Sequence, residues 1–169
     1  MTLGSLMHSV LSNVTYANIL QPVHQIIEQT LDRDLPAGFQ TERAVFQGEL
    51  ESMLSTFMQS EVYAELCAST IVAREIPFLM PFKSPSRHLP TGLMEGRIDL
   101  VYRKDGRLWV ADYKTDRVTE AEMAGRAQAY DGQAQYYMQA VRDGVGEEPA
   151  GFKVIFVRLG KALQIFPPS

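Results

Sequence analysis

Cysteine is almost absent from this chain: the single Cys67 among 169 residues can close no internal disulfide and can build neither a four-thiolate zinc site nor an iron–sulfur cluster. That usage points to a reducing compartment, and the cytoplasm is the expected location. No apolar run approaches the roughly 20 residues that a membrane-spanning helix needs. The first residues also lack the basic-then-apolar layout of a signal peptide, so a soluble chain with no membrane partner is expected. No G-x-x-x-x-G-K-[ST] loop is present, which leaves the chain without an ATP site of that kind. A basic excess is missing too: 16 Lys and Arg face 20 Asp and Glu, a formal net charge of −4. With a pI of about 5.4, the chain as a whole does not draw a polyanion by bulk electrostatics, and any contact with one must be local. Acid gathered at a metal site would make that formal sum a poor guide.

What is present is the material of one globular domain. Hydrophobic residues make up 46% and charged residues 21%, a mix that excludes disorder, and Gly and Pro are scattered without a period. Leu3, Leu6, Met7, Val10, Leu11, then Ile19, Leu20, Val23, Ile26 and Ile27 recur at helical spacing and predict one or two helices, broken near Asn13 to Asn18. Leu35-Pro-Ala-Gly38 is turn chemistry, and Val45, Leu50, Met53, Leu54, Phe57 and Met58 predict another helix. From Thr70 the pattern changes. Ile71, Val72, Ile76 and Phe78 predict a strand that ends in an exposed connection from Met80 to Pro90. Met94 to Tyr102 and Leu108 to Lys114 alternate around Asp105-Gly106, the strongest short hairpin signal in the chain. Thr119 and Glu122 form a capping box ahead of a long helix through Ala124, Tyr130, Ala134, Tyr137, Met138 and Val141, ending at Gly144. Phe152 to Val157 is a short apolar strand, and Leu163 to Phe166 is a candidate for another. The order is α/β, with a first half that is mostly helical and no internal repeat.

The chemistry concentrates on the hairpin. Counting outward from Asp105-Gly106 places Asp99 opposite Asp112, and Lys114 shares Asp112's face. Directly opposed carboxylates repel, and a bound divalent cation removes that cost; few oxygen ligands suit Mg²⁺ or Mn²⁺ better than a closed zinc site. A lysine beside them can orient water and offset charge growing on a phosphoryl oxygen. The same residues also fit a solvated hairpin face with a salt bridge. Gln133 and Tyr137, four apart on the long helix, share a face and can present an amide and a phenol to the same patch; equally, Tyr137 can be a half-buried ring with a local partner. His8 on its amphipathic helix is either a metal ligand or an ordinary satisfied histidine. Trp109 reads as core, Met53, Phe57 and Met58 as core or interface, and His24 and His88 match no motif.

Taken in order, Gly96-Arg-Ile-Asp99, Asp112-Tyr-Lys-Thr-Asp116 and Gln133-Ala-Gln-Tyr-Tyr137 resemble the RecB-like branch of the PD-(D/E)XK nucleases, the domain found at the C-terminus of helicase-nucleases. Leu3-Gly-Ser-Leu-Met-His8 resembles that family's N-terminal histidine motif, and Arg74-Glu-Ile-Pro-Phe78 its first core strand with an acidic residue. The resemblance implies a restriction-endonuclease-like α/β core, a central mixed sheet flanked by helices, with a helical N-terminal part. It implies one domain over 1–169: 1–68 mainly helical, 69–158 the nuclease core, 159–169 a C-terminal strand or tail. It makes Asp99 and Asp112 metal ligands, His8 a further ligand, the main-chain carbonyl of Tyr113 another, and Lys114 the catalytic lysine. Glu75 is a catalytic acid, a supporting acid or a strand-end charge, and Gln133 and Tyr137 shape the site and contact DNA. The implied activity is Mg²⁺- or Mn²⁺-dependent hydrolysis of DNA, by an exonuclease acting on single-stranded or duplex ends in recombination and repair, with a helicase motor in the same parent protein or complex. Two other functions stay open: a non-catalytic module that binds DNA ends or a partner, and an assembly domain whose partner supplies the DNA path.

Overall fold

A computed structural model of the chain describes residues 2–16, 22–82 and 92–168. Four helices come first: α1 (Leu3–Asn13), α2 (Val23–Asp34), α3 (Arg43–Met58) and α4 (Glu61–Cys67), with a short 3₁₀ segment, Ala37–Glu42, ahead of α3. Then come β1 (Thr70–Phe82), β2 (Gly92–Lys104), β3 (Arg107–Lys114), α5 (Glu120–Val145), β4 (Gly151–Phe156) and β5 (Lys161–Ile165). The strands form one mixed sheet in the order β1-β2-β3-β4-β5. Only β3 and β4 run parallel, as the intervening α5 allows, because a parallel pair needs a crossover while antiparallel pairs close by short turns.

Alternation along the strands sorts side chains onto two faces. On one, Leu100, Tyr102, Ala111, Tyr113, Ile155 and Val157 pack with Leu6, Met7, Leu11, Ile27, Leu54 and Phe57 of the N-terminal helices. On the other, Val110, Phe152, Val154 and Phe156 pack with Ala134, Met138 and Val141 of α5. Met53 and Phe57 are therefore core, and Met58 packs against it. Trp109 also packs against that core, with Phe166 at its edge.

The β2–β3 turn follows its sequence closely: Asp105 and Gly106 take φ of 49° and 76°, the paired positive values of the tight hairpin turn. Thr119 and Glu122 make the reciprocal capping box at the start of α5. Four details differ from the sequence expectation. α5 runs past Gly144 to Val145 and closes on Gly146 at φ 78°, since the left-handed cap rather than the first glycine ends the helix. Met80 to Phe82 are strand rather than loop, paired with Met94, Leu93 and Gly92, and Met80 is buried. Val45 is exposed, so the buried stripe of α3 begins at Leu50. Helix α4 was not anticipated; its seven residues bury only Leu66, too little periodicity to announce a helix. Positions 17–21, including the end of the expected helix break, and the connection 83–91, with His88, lie outside the described residues.

Candidate active site

The site forms where the sheet divides. The β2–β3 ladder ends at Leu100–Ala111, while β2 stays paired with β1 to Gly92 and β3 stays paired with β4 to Lys114. Past that point β2 and β3 part, and Asp99 on one arm faces Asp112, Tyr113 and Lys114 on the other. Asp99 takes over the lost ladder bond: its Oδ2 accepts the Tyr113 backbone N–H at 2.7 Å. The hairpin count that set Asp99 level with Asp112 agrees with this register.

Helix α1 closes the fork from the side. Its N-terminus is capped by Thr2 and Ser5, and Gly4 lets it approach β3: a Cβ there would lie 3.0 Å from Thr115 Oγ1. One turn further along, His8 Nδ1 lies 3.1 Å from Asp99 Oδ1, and its ring stands edge-on to Tyr113. Strand β1 brings Glu75, which sits between the Arg74–Leu100 and Ile76–Ile98 pairs and so level with Asp99. Its φ of 50° is rare for a residue with a side chain and holds strain of about 1–3 kcal/mol, the kind that collects at functional sites. His8, Glu75 and Asp99 each offer a ligand atom within 4.8 Å of the other two. Among the ambiguous sequence candidates, Glu75 is thus brought fully into the site. The same three residues line a cleft of about 500 Å³ with Ser5, Ser9, Ser12 and Arg97.

On the β3 arm, Asp112 is 4% exposed. Its Oδ1 accepts from Gln133 Nε2 at 3.0 Å. Its Oδ2 forms an ion pair with Lys114 Nζ at 2.7 Å. Lys114 in turn donates to Gln133 Oε1 at 3.3 Å and lies over the Tyr130 ring. Gln133 therefore holds both ends of the acid–lysine pair. Tyr137, one turn along α5, packs its ring on Phe78 and Phe152 and has its hydroxyl hydrogen-bonded to Gln133. His24 pairs with Glu28 and Glu51 on the surface.

The electrostatics are those of a crowded acidic centre. Burial, then the charge of Asp99, pushes the carboxyls of Asp112 and Glu75 above the usual carboxylate range. The hydrogen bond that His8 donates to Asp99 raises its imidazole against the opposing effect of burial, with the charges of Asp99, Asp112 and Glu75 adding to it. Burial alone would lower the Lys114 ammonium, but Asp112 outweighs it and holds the group above its ordinary value. Such a cluster resists full ionisation until positive charge arrives, and a divalent cation supplies it.

Sequence reasoning passed over Arg74 as a site element. It reaches the C-terminal carbonyls of α1, donating to Leu11 at 3.4 Å and Ser12 at 3.3 Å and to Val14. Its only signal was a cation set between apolar strand positions, next to an acid.

A forked mixed sheet with an acid–lysine pair on one arm and helices on both faces is the architecture of a nuclease core. The profile of the PD-(D/E)XK nuclease superfamily matches residues 1–166, and the chain belongs to that superfamily, with the layout of a RecB-like nuclease domain. It is similar to an ATP-dependent helicase/nuclease subunit from Staphylococcus carnosus (strain TM300), 24% identical over 165 residues that cover 91% of this chain and 13% of the relative. The protein of the same name from Staphylococcus aureus (strain MRSA252) is 27% identical over 169 residues, again 91% of this chain and 13% of the relative. The chain thus spans about 13% of the length of these curated relatives. No helix among the described residues is long and apolar enough to cross a membrane.

Proposed function

We propose that this chain is a divalent-metal-dependent deoxyribonuclease, with residues 1–169 acting as one nuclease domain. In this proposal it is an exonuclease that hydrolyses DNA from single-stranded or duplex ends in recombination and repair, in the cytoplasm. Its partner is a helicase motor, as the name of its relatives suggests for them. The observation that carries the proposal is the donor set: His8, Glu75 and Asp99 within 4.8 Å of one another, beside the buried Asp112 and its ion-paired Lys114. An imidazole and several carboxylate oxygens fit a hard divalent ion such as Mg²⁺ or Mn²⁺.

His8, Asp99 and Asp112 would hold the ion, with Glu75 as a further acid. In a strand a residue's own N–H and C=O lie on the same edge, so the Tyr113 carbonyl shares the edge of the N–H that Asp99 accepts and would be the main-chain ligand. A bound ion would supply Lewis-acid polarisation of the scissile phosphate and a lower pKa for bound water. Lys114, held protonated by Asp112, acts as a fixed positive charge that orients the attacking water and balances charge on the phosphoryl oxygens. Gln133 keeps Lys114 and Asp112 in register, and Tyr137 braces that helix face beside the DNA. The water oxygen bonds to phosphorus, the bond to the 3′ oxygen breaks, and the products carry a 5′-phosphate and a 3′-hydroxyl.

The test is degradation of end-labelled linear single- and double-stranded DNA with Mg²⁺, Mn²⁺ or EDTA. Products that need metal, vanish in Asp112→Ala and Lys114→Ala, and do not form from a covalently closed circle are expected. Products that persist in EDTA or in Asp112→Ala contradict the assignment.

A further inference from the structure

The structure assigns to Arg74 the work of setting the metal affinity of the site: it is a positioning residue that holds the His8 helix against the forked strands. This rests on the nuclease proposal above and adds a residue that makes no contact with the ion.

Helix α1 is only 11 residues long and has no basic residue in its last turn. Its final carbonyls and the negative end of its dipole therefore need a partner from elsewhere. Arg74 of β1 supplies it, bonding the Leu11, Ser12 and Val14 carbonyls with one guanidinium nitrogen. His8 lies one turn before Leu11, so movement at that end is movement of the imidazole.

Arg74 is linked to the rest of the centre by its place on β1 and through Tyr16. On β1 it is the immediate neighbour of Glu75, whose backbone is kinked at φ 50°. Its Cζ lies 4.7 Å over the ring of Tyr16, which is buried and hydrogen-bonded through its hydroxyl to that of Tyr113. Tyr113 sits between Asp112 and Lys114, and its N–H fixes Asp99. One side chain thus ties together the helix bearing His8, the strand bearing Glu75 and, through Tyr16, the strand bearing Asp112. Supporting groups of this kind change metal affinity or activity by about 10- to 100-fold when removed. A lysine keeps the charge of Arg74 but has no planar group to lie over the Tyr16 ring while its head bonds the carbonyls.

The experiment is titration of Mn²⁺ into the protein, reading free Mn²⁺ by electron paramagnetic resonance, for wild type, Asp112→Ala, Arg74→Lys, Tyr16→Phe and Glu65→Gln. Arg74→Lys is expected to raise the Mn²⁺ dissociation constant about 10- to 100-fold, with kcat restored to near the wild-type value at saturating Mn²⁺. Tyr16→Phe, which keeps the ring under Arg74 and removes only the hydroxyl link, moves the same way by less. Glu65→Gln, whose partners are Tyr102, Lys104 and Lys153 rather than the residues of the fork, lowers thermal stability and leaves Mn²⁺ affinity unchanged. Folded Arg74→Lys and Tyr16→Phe proteins that bind Mn²⁺ like the wild type overturn the inference, as does a loss of turnover that saturating metal does not recover. If Arg74→Lys does not fold, Tyr16→Phe decides on the same readout. Wild-type protein that binds Mn²⁺ no better than Asp112→Ala overturns the nuclease proposal and this inference with it.

Discussion

Gly96 opens the Gly-Arg-Ile-Asp motif, and the reason for a glycine there is space. Its φ is not positive, so the backbone tolerates any residue, but an added Cβ would lie 2.5 Å from Cε1 and Cζ of Phe78. Carbon atoms prefer about 3.5–4.0 Å, so in Gly96→Ala the ring must withdraw by about 1 Å. It cannot do so freely, because its other side meets Tyr137 edge-on at 5.2 Å, and Tyr137 meets Phe152. Overpacking of this kind costs about 1–3 kcal/mol, partly offset by the 0.5–1 kcal/mol that alanine gains over glycine within a strand. A net loss centred on about 1 kcal/mol and reaching about 2.5 kcal/mol follows, and each kcal/mol lowers the melting temperature by roughly 2–4 °C for a chain of this size. Circular-dichroism melts and urea titrations of wild type, Gly96→Ala, Phe78→Leu and the double variant close the cycle. In the Phe78→Leu background the alanine should cost nothing or stabilise. An alanine penalty of equal size in both backgrounds refutes the steric argument, and so does a Gly96→Ala protein as stable as the wild type.

Two further predictions concern pH. Glu65 of α4 takes Lys104 at 2.7 Å, the buried Lys153 and the Tyr102 hydroxyl at 3.0 Å; burial pushes its carboxyl up, but these partners together hold it below the usual range. Its contribution is therefore present above the ordinary carboxylate pKa and lost as pH falls below it. Glu65→Gln should cost about 3 kcal/mol at neutral pH by leaving the Lys153 charge poorly paired, and melts should show the gap to wild type closing in acid. His8 has the opposite sign: its pKa is raised by Asp99, so in EDTA its ion pair stabilises below the ordinary imidazole pKa of about 6.5 and fades as pH rises through the raised value. The difference in melting temperature between wild type and His8→Ala should shrink from pH 6 to 9, and a difference that grows contradicts the pairing.

How far the site was legible depended on how local its causes are. Asp105-Gly106 specifies its own turn, and a two-residue turn fixes register; from that alone Asp99, Asp112 and Lys114 come together. Thr119 with Glu122 marks the start of α5 for the same reason, and helical spacing then sets Gln133 on the face that meets Asp112. Glu75 was ambiguous because its place depends on a backbone kink in β1 that no residue type there announces. Arg74 was missed because its partners are carbonyls of a helix about 60 positions earlier, and the charge of Lys153 inside an apolar strand finds its partner, Glu65, only on α4. Backbone acceptors and cross-layer ion pairs leave no periodic trace in a sequence.

In the proposed nuclease, α1, β1, β2 and β3 converge to hold one kind of ion at the fork of the sheet. Anomalous diffraction from crystals soaked in Mn²⁺ addresses it without any assay of turnover. A strong peak in the fork, bonded by His8, Asp99 and Asp112 and lost in Asp112→Ala, is expected. A soaked crystal with no peak at the fork, or with its strongest peak bonded by other residues, contradicts it.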